Sequence, residues 1–98
     1  MTLQEATDKV SKLATNNGGK VNATINFKFD EGNIHLDDTI SPNLVSNEEK
    51  NAQCTIAMSL DHFNKMMSGE MNPMMAFMTG KMKIEGDKGV AMKLASLF

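Results

Sequence analysis

Ser68-Gly69-Glu70-Met71-Asn72-Pro73-Met74-Met75-Ala76-Phe77-Met78-Thr79-Gly80-Lys81-Met82-Lys83-Ile84-Glu85-Gly86-Asp87-Lys88-Gly89-Val90-Ala91-Met92-Lys93-Leu94 is the stretch from which the fold is read. Asn72 can accept from the free amides of a following turn, Pro73 stands where a missing N–H costs nothing, and Gly80 can close the turn in a left-handed conformation. A short helix from Pro73 to Thr79 is therefore expected. Met82 and Ile84 then alternate with Lys81, Lys83 and Glu85, the two-residue period of a strand with one buried face. Gly86 stops that strand, Asp87 is an N-cap, and Val90, Ala91, Leu94, Ala95 and Phe98 recur at three and four residues, which gives a final amphipathic helix.

Working outward toward the N-terminus, Cys54, Ile56 and Met58 alternate with Thr55 and Ala57 as a further strand. Ser59 caps the helix after it, whose Leu60, Phe63, Met66 and Met67 share a face. A connection of two helices usually joins parallel strands, so the Cys54–Met58 and Lys81–Glu85 strands are expected to be parallel, with a right-handed crossover. At the start of the chain, Thr2-Leu3-Gln4-Glu5 fits a capping box, and Leu3, Ala6, Val10 and Leu13 carry one helical face to about Ala14. The Asn16-Asn17-Gly18-Gly19 cluster ends that helix. Val21, Ala23, Ile25, Phe27 and Phe29 alternate with polar residues over nine positions, and Ile34 and Leu36 do so beyond the turn Asp30–Asn33, which reads as an antiparallel hairpin. Pro42 and the polar run Asn47–Lys50 bracket a short edge strand at Leu44–Ser46. The sum is an α+β layer: a mixed five-stranded sheet with one face covered by four or five helices.

At 98 residues the chain forms one domain, 1–98, with a single modest core. No apolar run approaches a membrane span, and the start of the chain lacks the basic and apolar blocks of a signal peptide, so a cytoplasmic protein is expected. Cys54 is the one cysteine, which rules out an internal disulfide, and with only His35 and His62 as imidazoles no metal site is expected. Residues 1 to 70 hold six Lys against ten acids (−4) and residues 71 to 98 four Lys against two (+2), giving the net −2. There is no Arg, and no basic patch of the kind phosphate backbones require, so nucleic acid is not an expected partner.

Catalytic constellations are missing from the pattern. No Ser-His-Asp or Cys-His arrangement is suggested, and no Gly-rich loop opens a helix after a strand. Asp37 and Asp38 are adjacent on a strand end and point to opposite faces, so they read as solvated turn residues, and His35 is expected to face solvent. The methionines stand out: nine of the ten lie between Met58 and Met92. Methionine is unbranched and polarizable and repacks around ligands of differing shape. The stripe is either plain core or the wall of an apolar cavity.

The string Gly69 through Pro73, Ala76-Phe77, Gly80-Lys81, Ile84, Gly86 and Gly89 to Ala91-Met92-Lys93-Leu94 resembles the signature of the sterol carrier protein 2 family, small intracellular nonspecific lipid-transfer domains. About thirty residues match closely, and the Cys54–Met58 strand and Phe63 helix also fit. The resemblance implies the same α+β fold enclosing an apolar tunnel, no catalysis, no cofactor, and a lipid ligand such as a fatty acid, acyl-CoA, sterol or phospholipid. Carried over position by position, it places Phe63, Met66, Met67, Met74, Phe77, Met78, Val90, Met92 and Leu94 in the tunnel wall. The strand pattern alone adds Ile25, Phe27 and Phe29 as its floor. The terminal helix is expected to gate the tunnel and to touch membranes transiently, and a monomer is expected. Alternatively the chain is a lipid-presenting or protein-interaction domain of a larger lipid-metabolising system. Where many members carry Trp at the start of the second strand this chain has Ile34-His35. Residues 38 to 50 match poorly, and the end Ser96-Leu97-Phe98 is not a peroxisomal tripeptide.

Overall fold

The computed structural model describes residues 1–97; Phe98, expected on the apolar face of the last helix, lies outside the described residues. The chain runs α1 (Leu3–Asn16), β1 (Thr24–Phe29), β2 (Gly32–Asp37), β3 (Leu44–Ser46), β4 (Cys54–Met58), α2 (Leu60–Met67), α3 (Pro73–Met78), β5 (Met82–Gly86) and α4 (Lys88–Ala95). Local chemistry sets the helix starts. The Thr2 hydroxyl accepts from the Glu5 amide at 3.1 Å while the Glu5 carboxylate accepts from the Thr2 amide at 2.9 Å, closing the capping box. Ser59, Asn72 and Asp87 each accept from an amide of the turn they precede, and Pro73 opens α3.

The five strands lie in the order β3-β2-β1-β4-β5. β1 and β2 form the expected antiparallel hairpin, with Phe29 opposite Gly32, and β3 extends it antiparallel at the edge. The parallel pair is β1 with β4. β4 and β5 are antiparallel, contrary to the sequence expectation, with Met58 opposite Met82 and Cys54 opposite Gly86. The reason is geometric: two short helices run out and back, so the chain re-enters the sheet at the end it left. Gly86 is held to φ +88, and a Cβ there would strike the Gln53 carbonyl oxygen, so no other residue fits where β5 hands over to α4.

In register across the sheet, Ile34, Phe27, Ile56 and Ile84 form one inward row, and Val45, Leu36, Ile25 and Cys54 another. The helices cover these rows. α1 contributes the small side chains Ala6, Val10 and Ala14, which lets it approach closely, and α2 contributes Leu60, Phe63 and Met66. Phe63 is fully buried and meets the edges of Phe27 and Phe29 with ring centroids 5.8 and 5.3 Å apart.

Two polar expectations are overturned. His35 does point to the outer face of the sheet, but it is buried, its Nδ1 lying 2.7 Å from Asn26 Oδ1. The connection from β3 to β4 has to cross from one side of the hairpin to the other, and it straps the outer face: Asn33 Nδ2 donates to the Glu48 carbonyl and Asn26 Nδ2 to the Lys50 carbonyl. Asp38 is buried too. Its carboxylate accepts from the amides of Gly19, Val21 and Asn22 and from Asn43 Nδ2, all at 2.9 to 3.0 Å. Burial pushes the Asp38 pKa up, but those hydrogen bonds outweigh it and the group is held below its ordinary value. The same clasp shortens the first strand. The chain curls around the carboxylate, with Asn22 at φ 50, so regular pairing begins at Thr24 although Val21 and Ala23 are buried as their alternation requires.

Candidate functional site

Between the sheet, α2, α3 and α4 lies an apolar cleft of about 120 Å³. Its floor is Phe27, Ile56, Met82 and Ile84 on three adjacent strands, its inner end Met66 and Leu94, and its walls Pro73, Met74 and Phe77 of α3 facing Ala91, Met92 and Ala95 of α4. Lys88 is the one charged lining residue. The helical spacing of Lys88, Ala91, Met92 and Ala95 places all four on one stripe of α4. Met74, Phe77 and Met92 are each at least 40% exposed, so the mouth opens to solvent.

Six of the residues singled out from sequence meet here: Phe27, Met66, Met74, Phe77, Met92 and Leu94. The others stand elsewhere. Ile25, Phe63 and Val90 are buried in the core, as is Phe29, and Met67 is half-buried against it. Met78 points outward and is 73% exposed. The described residues thus show an apolar cleft beside α4. Ile56, Met82 and Ile84 were missed as lining residues although the signal was present: their alternation puts them on the face of the sheet that carries Phe27. Lys88, Pro73, Ala91 and Ala95 had no such signal, because lining depends on how α3 and α4 are set against the sheet.

Chemically the cleft offers dispersion contact and water exclusion. It holds no nucleophile or acid–base pair; Cys54 is fully buried behind it, and burial, with Asp87 nearby, raises its thiol pKa and keeps it protonated. Among the described residues no helix is long and apolar enough to cross a membrane.

The sequence from residue 2 to 98 matches the SCP-2 sterol transfer family. The chain belongs to that family. It is 48% identical over 54 residues to human sterol carrier protein 2, a match that covers 55% of this chain and 10% of that protein. It is 35% identical over 102 aligned positions to hydroxysteroid dehydrogenase-like protein 2 of Xenopus tropicalis, covering 97% of this chain and 24% of that one. The chain therefore spans a tenth to a quarter of the length of these relatives. Sterol carrier protein 2 of Yarrowia lipolytica, solved in its apo form, superposes with a TM-score of 0.73 at 26% identity, over 90% of this chain and 75% of that one. The mixed sheet with helices on one face is the architecture that the family resemblance implied.

Proposed function

We propose that the chain binds and transfers lipids, taking an acyl chain or sterol edge into the cleft between the sheet, α3 and α4, without catalysing a reaction. The observation that carries this reading is the composition of the cleft: every lining residue except Lys88 is apolar, and the walls facing solvent are methionine and phenylalanine. Such a surface loses free energy to water unless a ligand covers it. Flexible methionine walls fit ligands of several shapes, consistent with a nonspecific carrier of fatty acid, acyl-CoA, sterol or phospholipid.

The size of the cleft bears on how it works. An apolar cavity of about 150 Å³ holds one benzene ring, so 120 Å³ takes roughly the last five carbons of a chain. Longer ligands need α4 to move. Its inner side is anchored by Val90, Ala91 and Leu94, while Met92 and Lys93 are exposed, and a short helix anchored on one side can open locally without unfolding the domain. α4 is the proposed gate.

Displacement of a fluorescent fatty acid tests the reading. At the efficiency of about 0.3 kcal/mol per heavy atom common for larger ligands, an ~18-atom fatty acid binds with a Kd near 100 μM, and burial of its methylenes at ~0.8 kcal/mol each brings the Kd into the micromolar range. Absence of saturable binding below about 100 μM would contradict the proposal. A second reading, a lipid-presenting domain of a larger enzyme, is favoured by one observation: 97% of this chain aligns with part of the much longer hydroxysteroid dehydrogenase-like protein 2.

A further inference from the structure

The reactive sulfur of this surface is concentrated at the cleft mouth. The chain has no Trp or Tyr and its one cysteine is fully buried, so the side chains that a water-borne oxidant reaches and oxidises readily are methionines. Those of the cleft fall into two sets. Met74 of α3 and Met92 of α4 line opposite walls and are 45% and 58% exposed, whereas Met66 and Met82, deeper in the same cleft, are 3% and 5% exposed. Oxidation follows exposure, so the two mouth sulfurs react first and the inner ones are sheltered. Met75 and Met78 are also exposed but stand outside the cleft.

Methionine at these two positions differs from leucine in its chemistry more than in its bulk. Both cover the mouth with apolar surface, but the thioether becomes polar on oxidation. With hydrogen peroxide as oxidant, a sulfur lone pair attacks one peroxide oxygen. The S–O bond forms as the O–O bond breaks, sulfur gives up two electrons, and the other oxygen leaves as water. The sulfoxide oxygen is then solvated in the empty protein, so the fold loses little. An acyl chain lying across the mouth strips that water, and an unpaired polar group so covered opposes binding. The lining has a single donor side chain, the exposed Lys88, to offer two sulfoxides in its place. The change is reversible, because the exposure that admits peroxide also admits a reductase. A dithiol reductant returns the thioether and becomes a disulfide as the oxygen leaves as water.

We propose that Met74 and Met92 are modification sites at which a peroxide switches the cleft off, their sulfoxides keeping a lipid chain out of the mouth until they are reduced. The proposal rests on the lipid-binding reading for what the mouth admits. Its own evidence is the division of the cleft methionines into an exposed pair at the mouth and a sheltered pair inside. A bound chain covers both mouth sulfurs, so the loaded carrier is protected and the empty carrier is the form that is switched off. Met75 and Met78, exposed but outside the cleft, oxidise without consequence for binding and serve as internal controls.

Hydrogen peroxide treatment tests it, followed on one sample by peptide mass spectrometry, fluorescent fatty-acid displacement and a thermal melt. Met74, Met75, Met78 and Met92 are expected to oxidise ahead of Met66 and Met82. Affinity is expected to fall at least about tenfold once Met74 and Met92 are converted, with Tm little changed, and to return after treatment with the reductases for both sulfoxide epimers and dithiothreitol. Saturating palmitate is expected to slow oxidation at Met74 and Met92 but not at Met75 and Met78. Two variants assign the effect. Met75→Leu/Met78→Leu should lose affinity on peroxide treatment as the wild type does, while Met74→Leu/Met92→Leu, whatever its own starting affinity, should keep it within about twofold. Full conversion of Met74 and Met92 without loss of affinity, an equal loss in Met74→Leu/Met92→Leu, or a loss that only tracks a falling Tm would overturn the switch and leave the cleft intact. Absence of saturable binding in the untreated protein would strike the lipid-binding reading itself, and the switch with it.

Discussion

Filling the cleft from inside separates ligand binding from core packing. Ala91 of α4 is buried and lines the cleft, and Ala91→Leu adds three carbons there. On the benzene scale each occupies roughly 25 Å³, so they take up more than half of the 120 Å³. Filling apolar space at about 24 cal/mol per Å³ favours the folded state by up to about 2 kcal/mol, and overpacking opposes this by about 1 to 3 kcal/mol. Stability should therefore change little. A ligand, however, is denied about three buried carbons at ~0.8 kcal/mol each, which is roughly fiftyfold in affinity. Thermal melts and fluorescent fatty-acid displacement on the two proteins measure both quantities. An intact variant that binds within about twofold of the wild type would refute the placement of ligand beside α4, since the predicted loss is over 2 kcal/mol.

Other perturbations probe the gate, the headgroup and the Asp38 clasp. Deleting residues 95–98 should raise the lipid off-rate more than it lowers stability; a large fall in Tm with an unchanged off-rate per folded molecule would mean that the end of α4 is core and not gate. Chain length should matter more than headgroup, because Lys88 is exposed and such a charge contributes no more than about 1 kcal/mol, so Lys88→Gln should weaken fatty-acid binding less than about fivefold and leave the methyl ester unaffected. A hundredfold loss would reveal a polar subsite. The Asp38 pKa is lower folded than unfolded, so its contribution to stability is complete above the unfolded value of about 3.9 and is lost as pH falls through the folded value. Asp38→Asn, which presents an amide to three backbone N–H groups, should cost about 1 to 3 kcal/mol at neutral pH. Chemical denaturation should show the wild-type advantage shrinking below about pH 4; an advantage that persists into strong acid would contradict the charged clasp.

What was legible in the sequence was local. The capping box at Thr2 and Glu5, the Asn72-Pro73 start, the Asp87 cap and the alternation of Cys54-Ile56-Met58 each concern a few neighbouring residues, and each names its own element. Even the three-residue edge strand Leu44–Ser46 could be read, because Pro42 and a polar run bracket it. The direction of β5 could not be read this way. It depends on two helices returning the chain to the end of the sheet it left, which no period within either helix encodes. The same holds for His35 and Asp38, whose burial comes from the strap at Glu48–Lys50 and the loop at Gly19–Asn22. For the cleft, periodicity separated inward from outward residues on the sheet and so identified Phe27. It could not rank Ile25 or Phe63, which pack into the core, against Ile84, which borders the cleft, because that difference lies in the spacing between α4 and β5. Met78 shares a face of α3 with Met74 but lies one turn further along the helix, past the cleft and exposed.

The methionines themselves supply the most direct test. With methyl-labelled methionine, each Met can be followed by NMR during titration with palmitate in the absence of vesicles. The account predicts saturable shifts with a micromolar midpoint at Met66, Met74, Met82 and Met92, which line the cleft, and little change at Met75 and Met78, which do not. Shifts confined to Met75 and Met78, or no saturable shift at any cleft methionine, would contradict lipid binding between the sheet and α4.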